Sequence, residues 1–350
     1  MQAQEIDFIR DCLPQNRTLF YYYKDRYAGL LLKYAVADGA SVATVKKSRW
    51  SALLNRPVVR NRIANCGDGK LYPSAMDSDW PTDTHPFRLT LSRWPSAAAH
   101  RVQAWQQTSR RQHNLVLHVN FAGLHNDTYA RIFGRENNQA FAIASHPVDE
   151  REITLSWARL DLDWENGEAL IEEIQSDWLR YAAYRLQAGG DRFVVDHLGQ
   201  VVPARWRRRQ VRRSVSRDEL HRYVQDTLQP YRRMWAELTL AAGIWFLVEE
   251  IGIRRIFYHT FESSLVYKHM HAAPPPRSLY TDLPTRFCFQ VQDVKPEMLK
   301  EHRGIRRQLK RTRMQTARFH LLDLNAPVVK KPEQNDQVDG TWRELRRNLK

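Results

Sequence analysis

The residues best placed for chemistry lie in one stretch, Arg159-Leu-Asp-Leu-Asp-Trp-Glu-Asn-Gly-Glu-Ala-Leu-Ile-Glu-Glu-Ile-Gln-Ser-Asp177. It reads as two strands joined at the Asn166-Gly167 turn. Side chains alternate along a strand, so Asp161 and Asp163 share one face of the first strand. Glu173, Gln175 and Asp177 share one face of the second. Carboxylates gathered in this way are costly unless a cation or a reaction accounts for them.

The elements around this hairpin must place it. Phe87–Trp94, Leu115–Phe121 and Ile153–Asp163 alternate as strands, and Ala169–Gln175 completes the set. Helical spacing follows in Trp178–Leu186 and again between Asp218 and Ile251, where Pro230 interrupts and Gly252 ends the run. Ile253–Thr260 and Arg286–Gln292 read as further strands. This order predicts an α/β or α+β fold, a mixed β-sheet flanked by helices. Residues 1–84 read as a helical N-terminal region, 85–295 as the core domain, and 296–350 as a basic helical tail, loosely attached beyond 326. In the N-terminal region Tyr27–Val36, Ser41–Trp50 and Leu53–Ile63 are the expected helices. With Lys46, Lys47, Arg49, Arg56, Arg60 and Arg62 they form either a helical cap with a solvated basic face or a small DNA-binding module.

Charge points to a class of partner. The 350 residues carry 54 Lys+Arg against 39 Asp+Glu, a net charge of +15. Such a field attracts polyanions, of which nucleic acid, DNA or RNA, is the commonest. Arg205, Trp206, Arg207, Arg208, Arg209, Arg212 and Arg213 interleave an indole with guanidiniums, which suits phosphate contacts together with base stacking. Arg303, Arg306, Lys310 and Arg313 fall on one helical face. Cys12, Cys66 and Cys288 are far apart, so neither a zinc knuckle nor a disulfide framework is indicated. The longest apolar run, Leu238–Val248, is too short to span a bilayer, and the N-terminal residues have no apolar leader. A soluble, cytoplasmic protein is the expectation. Neither His118 with His125 and Asp127, nor His269 with His271, has a zinc-enzyme spacing, and His118 reads as a packed strand residue. His259 is the better candidate, because its strand should lie beside the acidic hairpin. No P-loop, nucleophile elbow or dinucleotide fingerprint is present.

Three resemblances bear on function. The acidic hairpin resembles the core of the PD-(D/E)xK nucleases. That likeness implies Asp161, or Asp163, and Glu173 as Mg²⁺ ligands, with the metal lowering the pKa of a water that attacks a phosphodiester. Gln175 stands where that motif has lysine; an amide can orient a water but carries no charge. Leu170-Ile-Glu-Glu-Ile-Gln-Ser-Asp-Trp178 is similar to a segment of large phage and mobile-element proteins. The likeness extends over roughly residues 145–265 through Trp157-Ala-Arg159, Trp235-Ala-Glu-Leu238 and Arg255–Thr260, and implies common ancestry without an activity. Trp235–Phe289 resembles the second half of a GNAT-type acetyltransferase, in which a helix, a strand and a helix ending in tyrosine precede the last strands. The glycine-rich loop that would cradle coenzyme A is missing from Gln175-Ser-Asp-Trp178.

These readings leave a nucleic-acid-binding or -processing protein in front. Its proposed catalytic form is metal-assisted hydrolysis at Asp161, Asp163, Glu173 and Gln175. The alternatives are a non-catalytic nucleic-acid or protein-binding module and an acyltransferase with a cleft between splayed strands near Gln175 and Tyr267.

Overall fold

The fold is given by a computed structural model, which describes residues 1–12, 18–36, 39–77, 80–95, 108–110, 112–135, 137–143, 146–149, 151–196, 198–204, 211–268, 275–300, 309, 317–325 and 328. Its strands are β1 (Thr18–Tyr22), β2 (Ala40–Ser41), β3 (Lys70–Leu71), β4 (His85–Trp94), β5 (Asn114–Phe121), β6 (Thr154–Asp163), β7 (Glu168–Gln175), β8 (Arg192–Asp196), β9 (Val201–Pro203), β10 (Val211–Ser216), β11 (Arg255–His259), β12 (Gln290–Gln292) and β13 (Phe319–Asp323). The helices are α1 (Ala3–Cys12), α2 (Arg26–Val36), α3 (Val42–Lys46), α4 (Pro57–Ala64), α5 (Leu124–Phe133), α6 (Asp177–Gln187), α7 (Arg217–Arg222), α8 (Gln229–Trp245), α9 (Phe261–Lys268) and α10 (Asp282–Arg286).

Eight strands form one mixed sheet in the order β1-β4-β5-β6-β7-β11-β13-β12, with helices packed on it, an α/β architecture. Of these pairings only β7 with β11 is parallel. The connection between those two strands is long, as a parallel pair requires, and it carries α6, a separate sheet β10-β8-β9, α7 and α8. The hairpin β6–β7 turns at Asn166-Gly167 as its sequence predicts. Gly167 has a φ of 61°, which costs a glycine little, and Asn166 donates to Asp163 across the turn.

The two faces of the sheet differ in kind. One face packs on α8, which packs in turn against α2, in a continuous apolar core that runs from Met1 to Leu324. α8 is apolar almost all round, with Leu238, Leu240, Ala241, Ala242 and Ile244 buried. It also carries the buried Glu237, which pairs with Lys24 and Arg286. The other face carries the polar residues of β4–β7 and β11, interrupted by two small apolar clusters. Among the described residues no helix is long and apolar enough to cross a membrane.

Several expectations change. Phe20–Tyr22 belongs to a strand, and β1 makes the N-terminal region an edge of the main sheet. Arg62 is buried, donating to Tyr23 Oη at 2.9 Å and to the carbonyl of Met76, while Arg49 donates to the carbonyl of Asp323. These two arginines bind this chain's own backbone and rings, whereas Lys46, Lys47 and Arg60 are exposed. β13 lies inside the sheet between β11 and β12, where the sequence suggested only a basic tail. Arg303, Arg306, Lys310, Arg313 and residues 205–210 lie outside the described residues.

Candidate functional site

A fork in the sheet organises the polar face. β7 and β11 pair in parallel from Glu168–Arg255 to Ile171–Tyr258 and then part. At the same level β7 carries an extra residue against β6: Arg159 faces Glu173, whereas Leu160 faces Ile171. Glu172 is the bulged residue. A bulge inserts one position on one strand only, so two consecutive side chains reach the same face. Glu172 and Glu173, which strict alternation would send to opposite faces, both enter the polar one.

Both carboxylates are buried and both are paired. Glu173 Oε2 accepts from Lys268 Nζ at 2.8 Å and from Arg159. Burial would raise its pKa, but the charges and hydrogen bonds of Lys268 and Arg159 outweigh that and hold it at about 2. Glu172 accepts from the Ser109 backbone at 3.0 Å and from the Ser109 hydroxyl at 2.8 Å. His259 Nε2 lies 3.2 Å from Glu172 Oε2 and 2.9 Å from Ser109 Oγ. Against the cost of burial, His259, Arg159 and Lys268 hold Glu172 at about 2 as well. Burial in turn lowers His259 below its ordinary value, against the pull of Glu172, and its Nδ1 faces Ser263 Oγ at 2.8 Å. Lys268 also donates to the Glu172 carbonyl at 3.2 Å, so its amine closes the gap that the departing β11 leaves.

The expected metal pair does not form in this arrangement. Asp161 shares the polar face with Glu173 but lies two positions along β6 from Arg159. It accepts a two-pronged contact from Arg110 at 2.6 and 2.7 Å and a third from the Met1 amine at 3.0 Å. Both its oxygens hold cationic nitrogens, as does Oε2 of Glu173, so this donor set does not fit a shared Mg²⁺. Asp163 is at the turn, bound to Asn166, and joins neither group. Among the described residues no three acidic, histidine or cysteine side chains are arranged to hold a metal.

Gln175 belongs to a second cluster at the end of β7. There Asp177 Oδ2 lies 2.9 Å from His146 Nδ1 and accepts from Trp157 Nε1 at 3.2 Å. Asp177 Oδ1 accepts from Arg180 at 2.8 Å and from the Gln175 amide, which also lies 3.0 Å from His146 Nδ1. Burial opposes the charge on Asp177, yet His146, Gln175 and Trp157 hold its pKa below the ordinary value. Ser176 caps α6 by accepting from the Leu179 backbone, which fixes Asp177 in the first turn. Beside this cluster lies an apolar cleft lined by Ile143, Pro147, Val148, Trp157 and Trp178. His146, Glu172, Lys268 and Ser109 were not singled out by sequence. The adjacent pair Glu172-Glu173 inside an apolar strand was the available signal for the fork.

From Asp177 the helix leads to a basic and aromatic surface. Arg180 and Tyr184 are exposed, and Tyr184 has 52% of its surface in solvent. The Arg185 guanidinium lies 5.8 Å from the ring centres of both Tyr181 and Tyr184, and Arg180 lies 5.9 Å from Tyr181. The adjoining layer adds exposed Arg192 on β8, Arg212 and Arg213 on β10, and Arg217 and Arg222 on α7. Acids there are partly committed: Asp196 accepts from the backbone of its own turn, and Glu219 closes a capping box with Ser216.

Comparison of the chain with known protein families, with curated proteins and with solved structures finds no match.

Proposed function

We propose that the protein binds nucleic acid, with α6 and the β8–β10 layer as its contact surface. The observation that carries this reading is the face of α6 on which exposed Arg180 and Tyr184 flank the half-buried Tyr181 and Arg185. Guanidiniums held against tyrosine rings offer phosphates a charge and bases a stacking platform, a combination that tolerates any sequence. Arg212 and Arg213 extend the same positive layer, and the net charge of +15 supplies long-range attraction. Fluorescence anisotropy with a labelled single-stranded oligonucleotide tests it. Tyr184→Ala should weaken binding about tenfold, within the ~1–3 kcal/mol of one stacked base. Arg180→Ala should lower the slope of log affinity against log salt by about one. Wild-type affinity in both variants would refute the surface; no binding by the parent protein would refute the function.

The parting of β7 and β11 favours a second reading. β7 and β11 pair only as far as Ile171 and Tyr258 and then part, and a cleft between splayed strands is what the acyltransferase reading requires. Here the gap is filled by Lys268 and Glu172. Calorimetry with acetyl-coenzyme A separates the two readings: saturable binding favours acyl transfer, and none leaves the nucleic-acid reading.

A further inference from the structure

The cluster at the start of α6 is built to present one imidazole nitrogen. His146 Nδ1 lies 2.9 Å from a buried Asp177 oxygen. Asp177 stays ionised, so the ring nitrogen facing it carries the proton and the lone pair is left on Nε2. The side chain of His146 is 23% exposed, and its Nε2 makes no hydrogen bond among the described residues. Trp157 holds the second lone pair of the same carboxylate oxygen, and Gln175 and Arg180 hold the other oxygen. The aspartate is therefore fixed from four sides, and the imidazole with it. A histidine oriented by a carboxylate, with its far nitrogen free, is a general base.

We propose that His146 is the base of a metal-independent ribonuclease site, acting on single-stranded RNA bound along α6. This proposal rests on the nucleic-acid reading above and names its substrate. Arg180, exposed on the other side of Asp177, is a cation for the scissile phosphate. An imidazole alone is a weak activator of water against a phosphodiester, but RNA supplies its own nucleophile. His146 Nε2 takes the proton of the 2′-hydroxyl, the 2′-oxygen bonds to phosphorus, and the bond to the 5′-oxygen breaks. The 5′-oxygen takes a proton from solvent, and the imidazolium returns one to solvent. The products are a 2′,3′-cyclic phosphate and a 5′-hydroxyl. DNA, which lacks the 2′-hydroxyl, is bound and left intact.

The experiment is incubation of the full chain with a fluorescein-labelled 20-mer RNA in EDTA, with binding followed by anisotropy in parallel. The expected result is cleavage to cyclic-phosphate ends, identified by mass spectrometry, with no cleavage of the matching DNA or 2′-O-methyl RNA. His146→Gln should bind the 2′-O-methyl RNA as the parent does and cleave RNA at least about 100-fold more slowly. Unchanged binding shows that the variant is folded. RNA bound but not cleaved by the parent would overturn the ribonuclease site and leave the binding reading standing. Cleavage that persists in His146→Gln, or that extends to DNA, would overturn it too. RNA and DNA both unbound would overturn the two readings together.

Discussion

Replacing Lys268 by methionine asks whether charge holds the fork between β7 and β11. Methionine keeps most of the stem and removes the ammonium, so Glu173 retains only Arg159 and the Glu172 carbonyl loses the partner at 3.2 Å. The size of the effect follows from the carboxyl itself. Glu173 is held at about 2 against an ordinary 4.5, and each tenfold in proton affinity is ~1.4 kcal/mol. Its partners therefore stabilise the folded ionised form by about 3 kcal/mol, shared between Lys268 and Arg159. Breaking a buried pair on one side costs about 3–5 kcal/mol, because the remaining charge is left without compensation. Lys268→Met should thus lower the unfolding free energy at pH 7 by about 3 kcal/mol, read from urea titrations.

The pH dependence separates charge from packing. A carboxyl with a depressed folded pKa contributes stability above about 4.5, and this is lost as pH falls towards about 2. Without Lys268 the carboxyl takes up its proton at higher pH, so the gap between parent and variant should narrow as pH falls from ~5 to ~3. Adding Glu173→Gln should recover part of the loss, with a coupling of about 2 kcal/mol in the double-mutant cycle. A loss below ~1 kcal/mol at pH 7, or one that is the same at pH 3, would refute the reasoning.

Two further predictions concern burial and backbone. His118 is fully buried with Nε2 2.7 Å from Ser92 Oγ, and burial lowers its pKa to about 4. The unfolded chain binds that proton below ~6.5 and the folded chain does not, so stability should fall by about 3 kcal/mol as pH drops from 6.5 to 4. His118→Asn should flatten the unfolding free energy across that window, and an unchanged profile would refute the assignment. Gly167→Ala should cost about 1 kcal/mol, since φ is 61° and nothing lies within 4 Å of the added carbon. Gly199→Ala should cost more, because φ is 78° and the new carbon would meet Asn137 Oδ1 at 2.6 Å. Equal shifts in melting temperature for the two variants would refute the steric part.

The central strands were legible because their signal is local. β4, β5, β6, β7 and β11 are apolar or alternating runs of five to ten residues, bounded by turn residues, and the Asn166-Gly167 hairpin names itself. β1 and β13 carry no such signal. Phe319–Asp323 is five residues that become a strand only because β11 and β12 lie on either side, a contact made across the chain. β8, β9 and β10 are short, and the arginines of β10 read as a charge run rather than a strand facing solvent. The site divides the same way. Gln175 and Asp177 were placed correctly on one side of the hairpin end, but His146, which completes their cluster, sits in a loop 31 residues from Asp177. The cation shared by Asp161 and Glu173 is what the nuclease resemblance implies, and a resemblance in the hairpin says nothing of side chains brought in from elsewhere. The partners that claim them, Arg110 and Lys268, come from segments that no local pattern ties to the hairpin.

The bulge explains why one nonapeptide serves both clusters. Without the extra residue, Glu172 and Glu173 could not both face Lys268 and His259, and one of them would enter the apolar core beneath α8. With it, the register beyond Arg159 shifts by one. Gln175 then falls opposite Trp157 on the polar face, and Ser176 is left to cap α6. The shift that pairs the fork's charges also aims Gln175 and Asp177 at His146, while Trp178, the next residue, donates to Tyr223 Oη at 2.8 Å and anchors the helix in the core. Charge neutralisation at the fork and orientation of the imidazole are therefore one backbone decision. Any substitution that removes the bulge should disturb both at once, even though the two clusters share no side chain.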